Sequence, residues 1–175
     1  MKKLLLPKEF LEDVVRLPYK PNPQDNPQHE NQIEELLIKH KLNYIAQPNG
    51  SQAFPDFTLP DHDLDIECKS IKTYAPMWNR GLPRPDALYI LTSKKLNRSS
   101  ILFGKYVCSV EQYERLIEQD KEYRQMIKED QDAEEGYEIY PRLAFKDKGG
   151  NYKKKYFDNS HIEKVFEHFG YEYEV

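Results

Sequence analysis

The sequence predicts an α/β (α+β) chain with a central mixed β-sheet flanked by helices. Three observations carry that prediction. Strand-like runs at residues 43–47, 54–59, 64–71, 87–92 and 101–107 follow one another between helical segments. Capping signatures, Ser109-x-x-Gln112 and Ser160-x-x-Glu163, open helices toward the C-terminal end. The chain has 175 residues, 38% of them hydrophobic, which suits one domain with its own core, since domains span roughly 100–200 residues. Residues 1–175 are therefore read as one unit: an N-terminal helix and Pro-rich arm over 1–27, a core over 28–110, and C-terminal helices with a hairpin over 111–175.

Each element has a local reason. Residues 7–17 read as a helix, because Pro7 suits a first helical position and Phe10, Leu11, Val14 and Val15 make one apolar face. Three prolines in a polar setting make 19–27 an extended connector. A second helix over 29–41 turns Ile33, Leu36, Leu37 and His40 inward. Ser109 opens a charged helix through about residue 128. Gly149-Gly150, between Leu143-Ala144-Phe145 and Tyr152, reads as a hairpin with Lys153–Lys155 beyond its tip. Gly170 closes the last helix.

Composition narrows the function classes. Mean hydropathy is −0.88, and no apolar run approaches the ~20 residues of a membrane span. The start Met1–Leu6 imitates a signal peptide, but Pro7-Lys8-Glu9 cuts the apolar stretch short. Cys68 and Cys108 form no CxxC pair, which argues against a disulfide framework or a cysteine-rich zinc module. The expectation is a soluble, cytoplasmic protein with no membrane partner. The formal net charge of −4 hides segregation: residues 69–106 hold eight basic residues against one acidic. With Tyr74, Trp78 and Tyr89 interleaved, that run is either a phosphate-binding surface or solvated loops and turns.

The chemistry concentrates in Phe54–Lys69. Pro60-Asp61-His62-Asp63 is a dense turn signal between two strand runs. A four-residue loop there pairs Leu59 with Leu64 and Phe57 with Ile66, and sets Asp56 opposite Glu67. Alternation sends Phe57, Leu59, Leu64, Ile66 and Cys68 to an apolar face, and Asp56, Thr58, Asp65, Glu67 and Lys69 to the other. Like charges directly opposite destabilise an antiparallel pair, whose Cβ atoms are about 4.5–5.5 Å apart. A hard cation supplies the missing reason for such a pair: Mg²⁺ takes one or two carboxylates and completes its shell with water and phosphate oxygens. Lys69, one same-face step on, falls where a metal-bound water or developing phosphoryl charge would lie. The competing reading is an exposed sheet face with alternating charges.

Pro55-Asp56, ten residues, then Glu67-Cys68-Lys69 resembles the motif of the PD-(D/E)XK nucleases, and among them a type II restriction endonuclease. Glu67-Cys68-Lys69 is the chain's single (D/E)xK match, and it lies on a strand behind a Pro-Asp at hairpin distance. The order of helix, three-strand meander, further strand and helix is similar to that superfamily's core, so the resemblance implies a restriction-endonuclease-like fold. It implies that Asp56, Glu67 and the backbone carbonyl of Cys68 hold the metal, and that Lys69 orients or deprotonates the attacking water. It implies Mg²⁺ as cofactor, with Mn²⁺ able to substitute and Ca²⁺ supporting binding only. Many relatives add an acid from the preceding helix. Glu30 is preferred over Glu34 and Glu35, because it lies three before Ile33 and seven before Leu37. A solvated helix face is the alternative for all three.

Recognition of double-stranded DNA is expected from the Pro/Gly-rich stretch 72–85. There Asn79 and Arg80 suit base edges, and Lys72 and Arg84 suit phosphates. Lys94, Lys95 and Arg98 form a further basic turn. The family implies a homodimer on a palindromic site and a companion DNA methyltransferase. Rival readings are a structure-specific or repair nuclease of the same superfamily, and a non-catalytic nucleic-acid-binding module.

Overall fold

The computed structural model describes residues 4–20, 25–51, 53–76, 78, 81–130 and 156–174. Two helices, α1 (Lys8–Arg16) and α2 (Asp25–Lys39), lead into a five-stranded mixed sheet of β1 (Ile45–Ala46), β2 (Phe57–Leu59), β3 (Leu64–Ile71), β4 (Leu88–Ser93) and β5 (Arg98–Phe103). Helices α3 (Val110–Asp130) and α4 (Asn159–His168) follow. The strands lie in chain order; β1–β2–β3 run antiparallel, β3–β4 parallel and β4–β5 antiparallel. A parallel pair needs a long crossover, and residues 72–87 provide it.

The hairpin register is the expected one: Phe57 faces Ile66, Thr58 faces Asp65 and Leu59 faces Leu64. Pro60–His62 forms one 3₁₀ turn, and Asp63 takes the left-handed conformation at φ 46° that lets the chain reverse. The two faces of the sheet then diverge. Phe57, Leu59, Leu64, Ile66, Leu88, Ile90, Ile101 and Phe103 pack under Phe10, Leu11 and Val14 of α1, Ile33 and Leu37 of α2, and Ile162, Val165 and Phe166 of α4. On the opposite face Tyr89, Leu91 and Leu102 form a smaller core with Ile71, Trp78, Tyr156 and Phe157. Beside that core, on the same face, Asp65, Glu67 and Lys69 of β3 carry charge.

Several sequence expectations shift. Helix α2 starts at Asp25, so Pro27 lies in its first turn rather than in a connector; a proline is tolerated there because its missing N–H would be unpaired anyway. The helix stops at Lys39, and Lys41 turns left-handed at φ 56°. The last strand spans Arg98–Phe103, not 101–107. Gly104–Tyr106 is a 3₁₀ turn, and Ser99 is buried because its hydroxyl donates to the Leu17 carbonyl at 2.8 Å. Ser109 and Gln112 form the expected reciprocal capping box at 3.2 Å each way. The cap of α4 is Asp158, whose side chain accepts from Ser160 N at 3.1 Å, rather than Ser160 itself. His62 lies in the turn but is buried, its Nδ1 3.0 Å from the Leu4 carbonyl. The hairpin expected around Gly149-Gly150, with Lys153–Lys155, lies outside the described residues, as do Asn79 and Arg80.

Gly104 shows how tightly the crossover is seated. A Cβ there would lie 1.9 Å from the Arg84 carbonyl oxygen, and Gly104 N and Lys105 N donate to Ala87 O and Pro85 O at 3.1 and 3.0 Å. The end of β5 thus holds residues 84–87 in place. No helix among the described residues is long and apolar enough to cross a membrane.

Candidate active site

The site begins where β2 leaves β3. Phe57 is the first residue of β2 in the ladder, and Asp56 stands just before it, in the position that faces Glu67. The carboxylate of Asp56 takes the place of a backbone acceptor: its Oδ2 accepts the Cys68 N–H at 2.6 Å. A strand residue sends its N–H and C=O toward the same neighbour, so the Cys68 carbonyl is directed to this edge as well. The Cys68 thiol packs against the helix-covered core, and burial holds it protonated.

Glu67 is partly buried. One carboxylate oxygen, Oε1, accepts from Lys69 Nζ at 3.2 Å. The other, Oε2, is buried with no hydrogen-bond partner among the described residues. Toward the hairpin tip, Thr58 donates to Asp65 Oδ1 at 2.6 Å, which satisfies that acid locally. The third acid arrives from α2. Glu30 accepts from Gln47 Nε2 at 3.3 Å, and Gln47 N donates to the Asp56 carbonyl at 2.7 Å. Next to Glu30, the buried His29 ring lies 3.2 Å from the Ile90 carbonyl and 3.2 Å from Thr92 Oγ1, which fixes the start of α2 against β4. Burial lowers the His29 pKa and keeps the ring neutral. Glu34 instead accepts from the Tyr44 hydroxyl at 2.9 Å, and Glu35 is exposed.

These acids feel one another. Burial and then the negative charge of Glu67 push the Asp56 carboxyl up to about 7, against the lowering effect of the Cys68 N–H. Glu30 is also raised, first by burial, with Glu67 adding to it. Among the described residues one ammonium, that of Lys69, stands against the three carboxyls of Glu30, Asp56 and Glu67. Among the described residues no group of three or more His, Cys, Asp or Glu side chains is placed to hold a metal by itself. Mg²⁺ needs only one or two protein carboxylates, and the orphaned Oε2 of Glu67 beside a carboxyl short of positive charge meets that requirement.

The basic residues divide. Lys72, Arg84, Lys94, Lys95 and Arg98 are exposed. The Arg84 guanidinium lies over the Phe54 ring at 4.0 Å, two residues from Asp56. Lys95 lies over Tyr74 at 4.7 Å, and Lys94 over Tyr19 at 5.9 Å. Arg98 donates to the Phe157 carbonyl at 3.0 Å, so it ties β5 to the approach to α4. A cavity of about 540 Å³ opens beyond Thr58 and Asp65, toward Arg84, Lys105 and Phe169, and leaves Asp56, Glu67 and Lys69 outside it. Sequence reasoning missed Gln47, which donates to Glu30, and, although it singled out Trp78, it missed that residue's contact with Lys69; both are tertiary contacts that no local pattern announces.

Comparison with protein-family models, curated proteins and solved structures finds no significant match to the chain.

Proposed function

We propose that this chain is a Mg²⁺-dependent endonuclease that hydrolyses double-stranded DNA at specific sequences, a type II restriction enzyme on a PD-(D/E)XK core. The observation that carries the reading is the gathering of Glu30, Asp56, Glu67 and Lys69 around one strand residue, Cys68, with a buried carboxylate oxygen left unsatisfied among the described residues. A folded chain has no structural use for that arrangement, because unpaired buried acceptors and opposed acids both cost stability.

Asp56 and Glu67, with the Cys68 carbonyl, are the residues that would hold Mg²⁺, and Glu30 lies close enough to share the charge. When bound, the ion supplies Lewis-acid polarisation of the scissile phosphate and its attacking water. The protein's own residues do the rest. The Cys68 N–H orients the Asp56 carboxylate. Lys69, anchored on Glu67, offers its remaining donors to the attacking water or to a non-bridging phosphate oxygen. Asp56, pushed up to about 7, is only partly ionised at neutral pH in the metal-free protein, and holding a divalent ion would require its carboxylate form. The exposed cations Lys72, Arg84, Lys94 and Lys95 suit a phosphate backbone crossing this face, and a homodimer suits a palindromic site.

Incubating phage DNA with the protein and Mg²⁺, with and without EDTA, tests the proposal. Discrete bands that vanish with EDTA support it. A smear or nicked plasmid points to a structure-specific or repair nuclease, and binding without any cutting points to a non-catalytic module.

A further inference from the structure

Lys69 is held from two sides, and only one of them belongs to the hairpin. On one side is Glu67, with Oε1 3.2 Å from Nζ. On the other is the ring of Trp78, whose centroid lies 5.3 Å from Nζ, within the ~6 Å over which an aromatic face attracts an ammonium. Trp78 comes from the crossover, nine residues further along the chain, and only 5% of it is exposed. Its indole N–H points to the Tyr156 hydroxyl at 3.3 Å. Its ring meets Tyr89 edge-on, with centroids 5.0 Å apart at 81°. Tyr89 is the β4 residue paired with Glu67, and its hydroxyl accepts the Arg84 N–H at 2.8 Å. The indole is therefore fixed by β4, by Tyr156 and by its own segment before it touches Lys69.

A lysine ammonium sits on a flexible four-carbon stem and samples many rotamers unless something confines it. Glu67 alone confines it poorly, because one salt bridge fixes a distance and not a direction. Adding a rigid π face as a second contact restricts both, while the three-donor ammonium keeps a free N–H for the substrate. We propose that Trp78 is a positioning residue for Lys69: it clamps the ammonium against Glu67, beside the acid pair, and makes the seating of the crossover a condition for efficient phosphodiester hydrolysis. This rests on the nuclease reading above.

The test has one arm without catalysis and one with it. Trp78 is the chain's only tryptophan, so its fluorescence reports this contact directly. Replacing Lys69 with Met, which keeps the length and removes the charge, is expected to change the Trp78 emission in metal-free, DNA-free protein with an unaltered far-ultraviolet dichroism spectrum. In the second arm, Trp78→Leu keeps apolar cover but has no π face. It is expected to lower kcat roughly tenfold, equivalent to about 1.4 kcal/mol, with DNA affinity in Ca²⁺ unchanged. Trp78→Phe, which keeps a ring, is expected to restore most of that loss. Emission indifferent to Lys69→Met, or a Trp78→Leu protein with unchanged kcat, overturns the positioning role and leaves the nuclease reading intact. The emission arm decides even if Trp78→Leu does not fold. An unsubstituted protein that never cuts DNA overturns the nuclease reading, and this role with it.

Discussion

The two faces of β3 obey different rules. Its even-numbered residues Leu64 and Ile66 are buried under α1, α2 and α4, and there every contact lowers the free energy of the folded chain. Its odd-numbered residues Asp65, Glu67 and Lys69 look the other way. Asp65 is satisfied by Thr58, whereas Glu67 keeps a buried oxygen with no partner among the described residues and adds to the effect of burial in raising the pKa of its neighbour Asp56. One strand therefore carries a face selected for packing and a face that packing alone would reject. The cost sits where β2 peels away, which is also where α2 brings in Glu30 and the crossover brings in Trp78.

The sharpest way to break this contrast is Lys69→Ala. It is expected to reduce cleavage by about 10³-fold or more while leaving specific DNA binding in Ca²⁺ intact, as read by gel shift. Near-normal turnover would remove Lys69 from the chemistry. On the opposite face, Ile66→Ala opens a cavity in a fully buried position. It should cost about 2–5 kcal/mol of unfolding free energy, measured by urea titration, with residual folded protein cutting normally per site.

Asp56→Asn should do the reverse of Ile66→Ala. In EDTA at pH 8 it is expected to raise stability by about 1–3 kcal/mol, because it removes a charge the site disfavours, and to abolish cutting. The same carboxyl sets a pH dependence. Its folded pKa, about 7, lies above the ordinary value of 3.8. The native state thus binds the extra proton, and that stabilisation is complete below about pH 4 and lost as pH rises through 7. Thermal melts of metal-free protein should fall across that window, and Mg²⁺ should recover most of the loss at pH 8. A flat profile would mean that burial and the charge of Glu67 do not raise the Asp56 carboxyl. The smallest effect separates the basic residues: Arg98→Ala should cost about 1 kcal/mol of stability through the lost Phe157 bond, whereas Lys95→Ala should leave the melt unchanged and lower the salt dependence of DNA binding.

The hairpin was legible because two local signals agree: a Pro-Asp-His-Asp turn, and strict alternation between Phe57 and Cys68. Glu30 was legible from helical spacing, since i+3 and i+7 residues share a face. What the sequence hid is tertiary. That β3 and β4 run parallel depends on a crossover whose path no residue announces. The strand expected over 101–107 begins earlier, at Arg98, a start that escaped because Ser99 and Ser100 are polar yet buried, Ser99 bonding a carbonyl as distant as that of Leu17. The clamp on Lys69 is equally distant, joining β3, the crossover and Tyr156.

The most direct test of the central claim, that opposed acids persist here to hold a divalent ion, is calorimetric titration of the metal-free protein with Mn²⁺ in buffers of different ionisation enthalpy. The account predicts saturable binding that is lost in Glu67→Gln and that releases close to one proton at pH 6 and close to none at pH 8. Equal Mn²⁺ binding by the unsubstituted and Glu67→Gln proteins, or no binding by either, would contradict it.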